Sequence, residues 1–244
     1  MSEDFLRDRV ALVTGASGGI GRALSLRLAQ AGARVALHYA SGDDRARQLV
    51  DEIGAERASA FGYDLARAES AAELMKEVAD ALGPVDVLVA NAGASKVQEY
   101  QDVTVEDWDR IMAVNLRAPF LLAQAALPGM RERGFGRVLF VSSVAAYTGG
   151  VVGPHYAASK AGLLGMMRFL ASRTAADGVT VNAIAPALIE DTQMLPGDPG
   201  DLAQRIPVGR LGKPGEVADL ALALLRNGYV TNEAVLIDGG LFPH

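Results

Sequence analysis

Seven short apolar runs, separated by longer stretches of helical composition, restrict what this chain can fold into more than any other feature. They are "VALVT" (10–14), "RVALHY" (34–39), "ASAFGY" (58–63), "VDVLVA" (85–90), "RVLFVS" (137–142), "VTVNAI" (179–184) and "AVLI" (234–237). Several carry apolar residues at consecutive positions, which suits strands of a parallel sheet covered on both faces. The runs between them, 20–31, 43–54, 67–82, 105–132, 155–176 and 214–226, read as helices. Such alternation predicts a doubly wound α/β fold, with about seven parallel strands and helices on both faces. The 244 residues hold no internal repeat, low-complexity segment or linker, so a single domain over 1–244 is expected. One stretch breaks the pattern. Residues 186–213 contain four prolines and four glycines around a short helix-like piece near 200–205. A long irregular segment in a compact domain is usually functional, and a substrate lid is expected there.

Composition excludes several classes. A net charge of −6 argues against nucleic-acid partners and against a polybasic membrane surface. There is no cysteine, so disulfides, thiolate nucleophiles and thiolate metal ligands are impossible. The three histidines, His38, His155 and His244, are scattered, and no metal site is expected. "MSEDFLRDR" at the start is polar and lacks a signal-peptide core, and no uncharged apolar run nears the roughly 18 residues of a membrane helix. A soluble, cytoplasmic chain is expected.

"TGASGGIG" (14–21) follows the first strand and opens the first helix. Gly15, Gly19 and Gly21 leave no Cβ where backbone must turn sharply and approach a ligand. The helix N-terminus then offers free N–H groups and partial positive charge to a diphosphate. This is a dinucleotide site in outline, although a glycine-rich turn is also compatible with a purely structural role. At the tip of the second strand a free ribose 2′-hydroxyl is usually met by a carboxylate. Here Tyr39, Ala40, Ser41 and Gly42 stand there, with Asp43 and Asp44 beyond as helix-start residues. Ser41 and Arg45 suit a 2′-phosphate, which favours NADP(H) over NAD(H), and Arg22 is a further candidate.

Tyr156 and Lys160 stand one helical turn apart in "HYAASKAG" (155–162) and share a face. A nearby ammonium favours the phenolate, so Lys160 is expected to lower the Tyr156 pKa and ready it for proton transfer. An exposed Tyr/Lys pair fits the same spacing. Ser143, past the fifth strand, could donate to a carbonyl on which negative charge develops; a serine-rich turn is the plainer alternative. Asn115 interrupts an apolar helical run, and Pro119 four residues on removes the N–H its carbonyl would meet. The pair suggests a kink holding an ordered water that relays protons to Lys160, or simply a bent helix. His155 is expected to be structural and partly exposed.

In order and spacing, "TGASGGIG", Asp64, "NAG" (91–93), Asn115, Ser143, "YAASK", "NAIAP" and "LIDGG" resemble the short-chain dehydrogenase/reductase family over essentially the whole chain. The resemblance implies a Rossmann-like fold and a catalytic set of Asn115, Ser143, Tyr156 and Lys160. It implies cofactor contacts from Gly15, Ser17, Gly19, Ile20, Gly21, Tyr39, Ser41, Asp64, Leu65, Asn91, Ala92 and Gly93. Tyr156, Lys160, Pro186, Ile189 and Thr192 complete that set. It also implies a homotetramer packed through the Tyr156 helix and the long helix beside it. Within the family, "IPVGRLGKPGEVADLALAL" (206–224) is most like 3-oxoacyl-[acyl-carrier-protein] reductases, which implies an acyl-thioester substrate and a possible acyl carrier protein partner. Gly134 and Asp177 stand where such enzymes can carry basic docking residues, although Arg131, Arg133 and Arg173 lie nearby. A free small alcohol or ketone of sugar, steroid or xenobiotic type is therefore the alternative substrate. A non-catalytic nucleotide-binding scaffold has no need of all four catalytic residues.

Overall fold

In a computed structural model, which describes residues 4–192 and 198–242, strands and helices alternate as expected. The strands are β1 (Val10–Thr14), β2 (Arg34–Tyr39), β3 (Ala58–Gly62), β4 (Val87–Ala90), β5 (Gly136–Val141), β6 (Val179–Pro186) and β7 (Ala234–Ile237). The helices are α1 (Gly19–Gln30), α2 (Asp43–Ile53), α3 (Glu69–Leu82), α4 (Val105–Met112), α5 (Ala118–Glu132), α6 (Ala145–Thr148), α7 (Pro154–Thr174), α8 (Pro199–Gln204) and α9 (Pro214–Arg226). All seven strands are parallel, in the order β3-β2-β1-β4-β5-β6-β7. Successive side chains of a strand point to opposite faces. Leu12, Leu88 and Phe140 therefore join the core under α3, α5 and α7, while Val13, Val89 and Leu139 join the one under α1, α2 and α9. Every residue of β1, β4, β5 and β6 is buried, which is why their sequences do not alternate with polar residues.

Strand order reverses between β1 and β4. Chains leaving their carboxyl ends turn to opposite faces and leave a crevice there, where ligands of such sheets bind. The expected helix over 105–132 is interrupted. Residues Ala113–Arg117 form a π-helical turn in which the Ala118 N–H reaches the Ala113 carbonyl. Pro119 follows in the first turn of α5, and the extra residue in the turn re-aims Asn115. By length and composition alone this stretch could cross a membrane, but half of it is buried within the protein, where α5 packs on α3 and α7. Of the expected lid, 186–192 and 198–213 are described and 193–197 lie outside the described residues.

Candidate active site

The glycine turn sets the floor of the crevice. Gly15 has φ +68°, and a Cβ on Gly21 would fall 2.1 Å from the Gly15 carbonyl, so α1 can leave β1 this steeply only without a side chain there. Residue Gly18 caps α1 without a side-chain hydrogen bond, leaving the N–H groups of the first turn for a ligand. Thr14 stitches the turn to the end of β4. Its hydroxyl accepts the N–H groups of Asn91 (3.0 Å) and Ala92 (2.9 Å), and Asn91 Nδ2 donates to the Thr14 carbonyl (2.9 Å). Thr14 was not among the expected site residues; its one sequence signal is its place just before the turn.

A cleft of about 390 Å³ runs along these strand ends. Its walls include Gly15, Ser17, Gly19, Ile20, Gly21, Ser41, Asp64, Leu65, Asn91, Ala92, Gly93, Pro186, Ile189 and Thr192, all expected at a dinucleotide. Tyr39 was expected among them and is not. Its ring lies over Gly62 of β3 and its hydroxyl donates to Asp43 Oδ1 (2.9 Å), because neighbouring strand residues take opposite faces and His38 takes the one toward the cleft. At the tip of β2 the cleft is lined by Ala40, Ser41 and Arg45. Asp43 turns away to Tyr39 and Arg47, and Arg22 pairs with Glu52 on α2 instead of facing the cleft. Arg110 and Val114, also unforeseen, line the same end, with Arg110 3.8 Å from Asp64. Their exposure to the cleft depends on how α4 and the π turn pack, which no local pattern carries.

Toward the other end the cleft meets Ser143, Tyr156 and Lys160. Pro154 starts α7, and the helix buries Tyr156, Lys160, Leu163, Leu164 and Met167 on one face. Ser143 stands beside the Tyr156 phenol, whereas Ser142 is spent structurally, donating to the Lys160 carbonyl (2.9 Å). Burial pushes the phenol up from its ordinary range, and the nearby Ser143 hydroxyl offsets part of that rise. This corrects the expected direction: the ammonium does not lower Tyr156 here. Lys160 Nζ sits 5.7 Å from the centre of the phenol ring and donates to the Val141 carbonyl (2.9 Å). Complete burial pushes Lys160 down to about 8, so it still carries its charge at neutral pH.

Asn115 lies behind the wall, fully buried. Its Oδ1 accepts the Ala94 N–H (2.7 Å), and its Nδ2 donates to the Ala94 carbonyl (3.0 Å) and to Ser159 Oγ (3.1 Å). It clamps the chain leaving β4 onto α7. His155, expected to be partly exposed, is fully buried, and neither ring nitrogen meets a partner among the described residues.

Residues 9–200 match the model of the short chain dehydrogenase family. The chain belongs to the short-chain dehydrogenase/reductase family. It is an NAD(P)-dependent oxidoreductase. Acetoacetyl-CoA reductase of Shinella zoogloeoides is 39% identical to this dehydrogenase/reductase over 241 residues, covering 96% of this chain and 98% of that one. The 3-oxoacyl-[acyl-carrier-protein] reductase of Aquifex aeolicus is 36% identical over 246 residues, covering 97% and 98%. Among solved structures, a blue fluorescent protein from a metagenomic library, in complex with NADPH, superimposes with a TM-score of 0.90 at 38% identity, covering 97% and 98%.

Proposed function

We propose that the protein is a cytoplasmic, NADPH-dependent reductase of 3-oxoacyl thioesters, working as a homotetramer, with Tyr156 as the proton donor. The observation that carries this is the one cleft that has Ser41 and Arg45 at one end and Ser143, Tyr156 and Lys160 at the other. The uncapped N-terminus of α1 fits a diphosphate between them. The absence of a carboxylate at the tip of β2, with Arg45 there instead, fits a 2′-phosphate. NADPH, when bound, supplies a hydride to the carbonyl carbon. Ser143 donates a hydrogen bond to the carbonyl oxygen as charge gathers on it. Tyr156 Oη then hands its proton to that oxygen, giving the secondary alcohol. The phenolate left behind is stabilised by the Ser143 hydroxyl, while Asn115 holds the backbone at Ala94 in place.

The names of the relatives support a 3-oxoacyl thioester, and one specific observation favours a free or coenzyme A-linked substrate over a carrier-bound one. Arg131 pairs with Asp177 (2.6 Å), Arg133 shares Asp86 (3.1 Å) with Arg9 (3.4 Å), and Arg173 stacks on Phe169 (4.8 Å). Two of the three arginines that could replace a docking patch are thus held by carboxylates, which weakens steering of an acidic carrier. The test is NADPH and NADH oxidation with 3-oxobutyryl-CoA, a carrier-bound 3-oxoacyl chain and simple ketones. NADPH is expected to be preferred, the two thioesters to react within about tenfold of each other, and Arg45→Ala to erode the cofactor preference. Turnover of free ketones alone moves the assignment to the alternative substrate class. No oxidation with any carbonyl overturns it.

A further inference from the structure

His38 is among the residues lining the cleft and is buried. Thr14 of β1 and Phe61 of β3 are its sheet neighbours, so the glycine turn and the loop after β3 both begin within reach of its ring. Two consecutive amides of the glycine turn end on this one residue. The Ala16 N–H is accepted by the His38 carbonyl (2.9 Å) and the Gly15 N–H by His38 Nδ1 (3.2 Å). On the far side His38 Nε2 is 3.0 Å from the Tyr63 carbonyl, immediately before Asp64 and Leu65. A backbone N–H can only donate and a carbonyl can only accept. The imidazole between them must therefore accept at Nδ1 and carry its proton on Nε2.

We propose that His38 is a positioning residue for the dinucleotide, its Nε2–H tautomer tying the diphosphate turn to the adenine-side loop so that both present one fixed surface to the cofactor. Burial pushes the imidazole down to about 4, against smaller upward pulls from the Tyr63 carbonyl and Asp64, which keeps Nδ1 an acceptor at neutral pH. A second proton would set two donors face to face at Gly15. The proposal rests only on binding of a dinucleotide in this cleft and not on the identity of the carbonyl substrate.

The two bonds can be removed separately. Asparagine sets an amide oxygen near the position of Nδ1 and can hold Gly15; glutamine reaches the position of Nε2 and can hold Tyr63; leucine does neither. Kd for NADPH is read by fluorescence with no carbonyl compound present, and kcat by oxidation at saturating NADPH. His38→Leu is expected to weaken NADPH by about tenfold or more, with a much smaller change in kcat. His38→Asn and His38→Gln each recover part of the loss. A long-range proton–nitrogen spectrum of the native chain, which has only three histidines, is expected to show one ring protonated at Nε2 and bare at Nδ1. NADPH affinity unchanged in His38→Leu overturns the proposal. So does an Asn and Gln pair no better than Leu, since ring packing alone would then matter. If the leucine variant fails to fold, the amide variants and the spectrum decide, and a His38 ring protonated at Nδ1 overturns it. A native chain that binds neither NADPH nor NADH defeats the broader functional reading instead.

Discussion

Lys160 carries a cost that its surroundings make measurable. Its ammonium is fully buried and meets a carbonyl but, among the described residues, no carboxylate, and desolvation pushes its pKa from 10.5 to about 8. Between those values the unfolded chain binds more protons than the folded one, so stability rises as pH climbs through that window. Below pH 8 the whole penalty is present, roughly 3 kcal/mol by the size of the shift. Lys160→Met removes it but leaves the Val141 carbonyl without its donor, which returns about 1–3 kcal/mol. Denaturant melts are therefore expected to show the methionine variant about 1 kcal/mol more stable at pH 7, with the advantage shrinking toward pH 10. A variant equally destabilised at both pH values would contradict this. The i, i+4 spacing in the sequence placed Tyr156 and Lys160 on one face, as the helix does. It carried no information on the Val141 carbonyl, contributed by a strand nineteen positions away, and so misjudged which group lowers the phenol. Tyr39 shows the same gap: composition marked the tip of β2, but which of two neighbouring side chains faces the cleft is fixed only by sheet register.

The helix pair α4 and α5 joins sequence to site through its irregularity. Thr104 caps α4 by accepting the Asp107 N–H (3.1 Å), and Pro119 opens α5. The π turn between them aims Asn115 at Ala94 and Ser159. Pro119→Ala restores an N–H and relieves the ring clash that discourages a regular α-helix. It is expected to leave thermal stability equal or higher, while turnover falls by about tenfold or more as Asn115 shifts and the substrate-side backbone loosens. Equal turnover in the two proteins would show that the π turn is incidental. Proline and asparagine at this spacing made a break legible in the sequence, but not its form as one inserted residue, since that depends on α7 accepting the turned side chain. The other elements were legible to within one or two residues because short runs of consecutive apolar residues and longer helical runs are local signals. The four-residue α6 was missed, as so short a run carries no periodicity.

Across the molecule, the exposed apolar side chains on α5 and α7 bear on assembly. Phe120 is 41% and Phe169 61% exposed on helices that otherwise bury their apolar faces. Monomers seldom leave aromatic residues so placed on adjacent helices. A homotetramer packed through this surface predicts that Phe169→Glu lowers the sedimentation coefficient to that of a dimer or monomer; an unchanged coefficient would rule this face out. The doubly wound architecture was legible because it follows from strands buried on both faces. The assembly was expected only from family resemblance, and the carrier-docking surface was left open because pairs such as Arg131 with Asp177 join residues 46 apart.

The most direct test is NADPH oxidation with 3-oxobutyryl-CoA by the native chain and by Tyr156→Phe, alongside NADPH binding to each. Removing the phenolic proton from the cleft is expected to cut kcat by about a thousandfold while NADPH binds within a few-fold of native. A phenylalanine variant that turns over at the native rate would contradict proton transfer from Tyr156 and, with it, the chemistry assigned to this cleft.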